Sequence, residues 1–80
     1  MQNAEIKEII EASFEPYHCW VEFLPINKIY KNEVKIRLYD DDTLMFRGRA
    51  QLKIVQEREG LDHQIAEWRE AAVEKGCNFQ

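Results

Sequence analysis

The sequence predicts an α+β fold: a helix, a three-stranded antiparallel sheet and a second helix, with both helices packed on one face of the sheet. Three observations carry this. Residues 33–53 hold two alternating runs on either side of Asp40-Asp41-Asp42-Thr43, the pattern of a hairpin with one buried face. Residues 18–24 form a short run rich in strand formers just before it. Stripes at helical spacing stand toward both ends of the chain: Ile6, Ile9, Ile10, Ser13 and Phe14, and later Leu61, Ile65, Trp68 and Ala72.

In chain order, Asn3 is placed to cap the first helix, with Glu5 near its positive end. Pro16 disfavours helical backbone at Glu15, so this helix is expected over about residues 3–15. Its outward residues Lys7, Glu8, Glu11 and Glu15 read as a solvated face. In the first strand Cys19, Val21 and Phe23 share one side, while His18, Trp20, Glu22 and Leu24 share the other. The charge of Glu22 turns the first set inward, and Pro25 ends the strand or marks an edge. Residues 25–32 read either as a long hairpin loop or as a continuation of the first strand past a bulge, with Asn32 as a turn residue.

Strand two, over about 33–39, places Val34, Ile36 and Leu38 on one side and Lys35, Arg37 and Tyr39 on the other. Strand three, over about 43–50, places Leu44, Phe46, Gly48, Ala50 and Leu52 toward the core. Met45, Arg47, Arg49, Gln51 and Lys53 then face outward, and the alternation persists to Ile54. Gly48 points to a bulge or a close backbone approach, such as one beneath a helix. Gly60 interrupts any helix begun at Val55, so the last helix is expected from Leu61 or Asp62 to about Lys75. Its buried stripe is Leu61, Ile65, Trp68 and Ala72, with Val73 beside it. Lys75 and Gly76 suit the helix end, one as a cation at the negative pole and the other as a left-handed cap. Residues 77–80 are expected to fray. The expected core joins Ile10, Phe14, Val21, Phe23, Ile36, Leu38, Phe46, Ile65 and Trp68.

Eighty residues suit one domain, residues 1–80, with one core. The formal net charge of −4 turns the surface as a whole away from nucleic acid and anionic membranes, so such binding needs a local patch. No apolar run approaches the ~18–20 residues that span a bilayer, and the opening residues lack a basic-plus-apolar leader. The expectation is a cytoplasmic protein without a membrane partner. Its two cysteines, Cys19 and Cys77, read as reduced thiols there, with a Cys19–Cys77 disulfide as the alternative.

The run Ile9-Ile10-Glu11-Ala12-Ser13-Phe14-Glu15-Pro16, followed by Cys19, resembles the domain-of-unknown-function 1652 family of short proteins, found mainly in pseudomonads. In that family the first helix ends in a similar Ile-Ile-Glu, Ser-Phe, Pro and Cys series. Gly48 matches a glycine near the end of its third strand, and Ile65-Ala66-Glu67-Trp68-Arg69 approximates its Ile, Glu-Leu-Arg signature. The likeness spans about Ile6 to Ala72. The chain departs from the pattern at Val21, where a second cysteine is frequent, and in the longer segment from Pro25 to Asn32. The resemblance implies a bacterial protein with the fold above, and no site residues.

Residue chemistry offers no catalytic set. His18 and Cys19 are adjacent on a strand and point to opposite faces, so they do not ligate one metal jointly. Local pairs such as Cys-x2-Cys, which structural zinc requires, are lacking. Cys19 reads as a small core hydrophobe. There is no phosphate-cradling glycine loop and no nucleophile elbow, and Asp40, Asp41 and Asp42 lack the spacing of a calcium loop. No enzyme activity, cofactor or metal is expected.

The open sheet face stands out. Lys35, Arg37, Arg47, Arg49 and Lys53 place five cations there against Glu22 alone, which makes the face near +4. Trp20, Tyr39 and Met45 lie among them. Trp, Tyr and Arg anchor protein interfaces, so the first reading is a small non-catalytic protein-interaction or regulatory module. Trp20, Lys35, Arg37, Tyr39, Met45, Arg47 and Arg49 form its surface, and its partner is another protein or a second copy. The alternative is a nucleic-acid-binding adaptor using the same face, with aromatics stacking bases and cations meeting phosphates. The bland reading is that long basic side chains simply cover exposed strands. The element order is also that of double-stranded-RNA-binding domains. Those need a basic start to the last helix, and here Glu57, Arg58, Glu59, Gly60 and Asp62 stand in that place.

Overall fold

The computed structural model describes residues 1–24 and 32–79. Helix α1 (Asn3–Ser13) is followed by strands β1 (His18–Phe23), β2 (Glu33–Asp40) and β3 (Thr43–Gln51), then by helices α2 (Leu52–Val55) and α3 (Arg58–Glu74). The strands form one antiparallel sheet in the order β1-β2-β3. The expected α+β architecture is therefore present, with one addition, the single-turn α2. The loop-or-bulge question over residues 25–31 lies outside the described residues.

Alternation decides which sheet face is covered. Cys19 and Val21 of β1 and Val34, Ile36 and Leu38 of β2 are buried in one cluster with Ile6, Ile10, Phe14, Leu52, Val55, Leu61, Ile65, Trp68, Ala72 and Cys77. The helices thus lie on one side of the sheet, as the two amphipathic stripes require. Phe23 and Phe46, expected at the centre, pack against this cluster from its margin and are only partly buried. Val73 faces solvent at 55% exposure, outside the stripe of α3.

Two glycines mark where elements meet. A β-carbon on Gly48 would lie 2.5 Å from Trp68 Nε1, so the indole of α3 rests directly on β3. This is the close approach beneath a helix that the sequence implied. A β-carbon on Gly60 would collide with the Ile54 carbonyl oxygen. Gly60 therefore lets the first turn of α3 press against the end of α2, and the helix starts at Arg58 rather than after the glycine. The break between the helices falls at Gln56 and Glu57. The alternation that persists to Ile54 does not extend β3, which ends at Gln51 where α2 begins. Leu52 and Val55 are both buried, and an i, i+3 pair reaches one side only on a helix.

The ends of α1 and α3 are tied together. Gln2, not Asn3, occupies the N-cap position of α1. At its other end Arg69 Nη1 donates to the Ser13 carbonyl at 2.8 Å, satisfying a carbonyl that the helix leaves without a partner. At the end of α3 Gly76 takes φ 104°, its N–H reaches the Val73 carbonyl, and the Cys77 N–H reaches the Ala72 carbonyl. These two bonds define a Schellman ending. The expected fraying of residues 77–80 is corrected for the part described. Cys77 is buried, the Asn78 N–H donates to the Tyr17 hydroxyl at 2.7 Å, and the Phe79 ring meets Phe14 and Tyr17 edge-on. Arg69 also lies over the Phe79 ring, 4.8 Å from its centroid. The turn at Gly76 redirects the chain back onto the end of α1, so its last apolar residues find a surface.

Candidate functional site: the open sheet face

The uncovered face is built by cross-strand rows. His18, Tyr39 and Leu44 form the row nearest the β2–β3 turn, Trp20, Arg37 and Arg47 the next, and Glu22, Lys35 and Arg49 the third. Glu33 and Gln51 close the far end. Each row places side chains about 5 Å apart across strands, and successive rows lie about 7 Å apart along them.

Six of the seven expected residues stand on this face. Met45 does not. The ladder runs Leu38↔Phe46 and then Tyr39↔Leu44, so Met45 is an extra residue bulged out of β3. Its side chain turns to the helix side, where it packs against the core. Leu44, expected inside, takes the outward place and is 38% exposed. A signal for this existed: Leu44-Met45-Phe46 is three apolar residues in succession, which strict alternation cannot bury on one side.

Two charges also need correction. Lys53 lies on α2 and leaves the face, while Glu33 shares the outward parity of Lys35 and joins it. The face thus carries Lys35, Arg37, Arg47 and Arg49 against Glu22 and Glu33, a net of +2 rather than +4. It remains opposite in sign to the chain as a whole.

Its centre is a hollow of about 320 Å³ lined by Lys35, Ile36, Arg37, Arg47, Gly48 and Arg49. The Ile36↔Gly48 pair forms the floor, because their outward side is backbone alone. Lys35 stands directly opposite Arg49, and Arg37 directly opposite Arg47. Like charges in that position repel. Arg49 is drawn to Glu33 at 4.0 Å, and Arg37 lies over the Trp20 ring at 4.4 Å from its centroid. Trp20 keeps 40% of its surface exposed.

Elsewhere a second hollow, of about 380 Å³, is lined by Glu8, Glu11, Ala12, Glu15, Tyr17, His18 and Cys19. The Cys19 thiol beside it is pushed up from 9.0 to about 12, first by burial and then by the Glu11 carboxylate, so it is protonated at neutral pH and a poor nucleophile. Burial, and secondly Asp40, also raise Cys77. Both cysteines are free. Among the described residues no group of three His, Cys, Asp or Glu side chains converges to hold a metal ion, and no helix is long and apolar enough to cross a membrane. No family model, curated protein or solved structure matches the chain.

Proposed function

We propose that the protein is a small non-catalytic interaction module of the bacterial cytoplasm that binds another protein through the open sheet face. The observation that carries this is Trp20. A tryptophan 40% exposed, braced by a stacked arginine on a sheet face that none of the described helices covers, is what a protein interface uses as an anchor. Tyr39 and Leu44 extend the apolar ground beside it, and the cations of the neighbouring rows give orientation. The free, buried thiols suit a reducing compartment.

The test is recovery of bound material from the native lysate with parent and Trp20→Ala protein, each with and without nuclease. The expected result is a protein retained by the parent, insensitive to nuclease and lost with Trp20→Ala. Its affinity should fall by about 2 kcal/mol or more, while the melt of Trp20→Ala stays near the parent's. Equal retention by Trp20→Ala overturns the reading, as does material that disappears on nuclease treatment, which favours a nucleic-acid adaptor.

A further inference from the structure

We infer that the hollow between β2 and β3 is a two-step carboxylate cradle, built for an extended partner segment of the pattern acid-x-acid-x-apolar. The inference rests on the open face being a protein interface and names the chemistry that interface reads.

The cradle is costly as it stands. Two like-charge pairs, Lys35↔Arg49 and Arg37↔Arg47, face each other in adjacent rows around an open hollow. Of these four cations, among the described residues, only Arg49 forms an ion pair, with Glu33 at 4.0 Å; Glu22 stands opposite Lys35 on β1, and Arg37 and Arg47 have no acid opposite them. An anion set between the members of each pair would convert repulsion into attraction.

The spacing selects the anion. Successive rows are two residues apart in each strand, so about 7 Å separates the Lys35–Arg49 step from the Arg37–Arg47 step. An extended peptide repeats its side chains on one side at the same interval. A carboxylate at position i would meet the first step and one at i+2 the second. Position i+4 would reach the row of Tyr39 and Leu44, where an apolar side chain finds Leu44 at 38% exposure with the Tyr39 ring opposite it.

Charge limits the length of the ligand. Acids bound the cradle: Glu22 flanks its first step on β1, Glu33 lies one row beyond that step, and Asp40, Asp41 and Asp42 of the turn lie beyond the other end. A phosphodiester chain following the strands would carry further charges into those acids. A segment with two carboxylates and an apolar end stops short of them.

The probe is the capped peptide Ser-Glu-Ser-Glu-Ser-Leu-Ser. It is followed by amide shifts of the labelled protein beside its glutamine counterpart and an eight-residue oligothymidylate. The expected result is saturable shifts at residues 35–37 and 47–49, at least tenfold weaker with the glutamine peptide and with the folded Arg37→Gln/Arg47→Gln variant. Equal binding of both peptides centred on Trp20 and Leu44 overturns the cradle and leaves the protein interface standing. Tighter binding of the oligothymidylate overturns both, and the absence of peptide shifts at 35–37 and 47–49 overturns the cradle.

A second measurement needs no ligand. Arg47→Glu replaces a repelling pair with an attracting one on an exposed site, so the melting temperature should rise by about 2–5 °C. An unchanged or lower value would show that the opposed cations carry no stored repulsion, and would overturn the cradle on its own.

Discussion

Gly48→Ala is the sharpest test of how the sheet and α3 fit together. One methyl group is added on the buried side of β3. Built on the existing backbone, it would stand 2.5 Å from Trp68 Nε1, 2.7 Å from Trp68 Cδ1 and 3.1 Å from Phe46 Cε2. Ordinary heavy-atom contacts lie near 3.5–4.0 Å, so the indole must withdraw by about 1 Å. It has little room to do so, being 4% exposed and packed against Phe14 at 6.5 Å between centroids. Overpacking of this kind costs about 1–3 kcal/mol. Replacing glycine within a strand returns about 0.5–1 kcal/mol through reduced chain entropy. The net expectation is a loss of about 1–2 kcal/mol, from a total of about 4–12 kcal/mol for a domain of this length.

Thermal melting should therefore fall by about 5–15 °C. Trp68 emission, read in a Trp20→Phe background, should shift as the ring moves. The penalty should shrink when Trp68→Leu is combined with Gly48→Ala, because the two residues are coupled through one contact. A Gly48→Ala protein as stable as the parent, with unchanged Trp68 emission, would refute the packing of α3 on β3.

The thiols should resist labelling in the folded protein at neutral pH, Cys77 included, and both should react on unfolding, as a timed alkylation would show. Because burial raises the folded Cys19 thiol from 9.0 to about 12, its contribution to stability is intact below pH 9. It is lost as pH rises from 9 toward 12, at about 1.4 kcal/mol per unit, and denaturant melts at pH 8 and 10 should show the decline. A chain ending at Gly76 loses buried Cys77 and the Phe79 ring, which lies 5.7 Å from Phe14 and 5.5 Å from Tyr17. It should be about 2–3 kcal/mol less stable in denaturant unfolding, and equal stability would mean that the tail is not docked.

Periodicity made most of the fold legible. Val34, Ile36 and Leu38 alternate without interruption, and Ile6, Ile10 and Phe14 keep helical spacing, so their faces could be assigned from pattern alone. The errors fall where a local pattern has two solutions that only tertiary contact separates. Leu52 and Ile54 continue the alternation of β3, yet Leu52 and Val55 are the pair that is buried, and burial decides in favour of a helical turn. Gly60 reads as a helix breaker on propensity, but close approach to the Ile54 carbonyl keeps it inside α3. Fraying at the C-terminus is the ordinary expectation, and no local signal shows that Tyr17 and Arg69 wait there for Asn78 and Phe79. At the site, Glu33 was readable from parity, whereas the exchange of Met45 for Leu44 required the bulge.

That bulge yields a prediction that separates it from a regular strand. β2 offers eight residues and β3 nine, while Asp40 pairs with Thr43 across a two-residue turn in which Asp41 takes φ 54°. With the turn fixed at one end and Ile36↔Gly48 at the other, one residue of β3 has no partner, and it is Met45. Deleting Met45 would join Leu44 to Phe46 and restore strict alternation, leaving Leu44 outside and Phe46 inside. The cost is the packing of a half-buried thioether near Gly76, about 1–2 kcal/mol, partly offset by a regular ladder. The variant should fold, and the amide shifts of Arg37, Arg47 and Arg49 should stay near those of the parent. Deleting Arg49, beyond the bulge and Gly48, should instead bring either Arg47 inside or residues 50–51 to the wrong face, because a slip of one residue reverses every side chain. If removal of Met45 unfolds the protein as completely as removal of Arg49, there is no bulge. Leu44 would then belong to the core, and the apolar end of the open face would be lost with it.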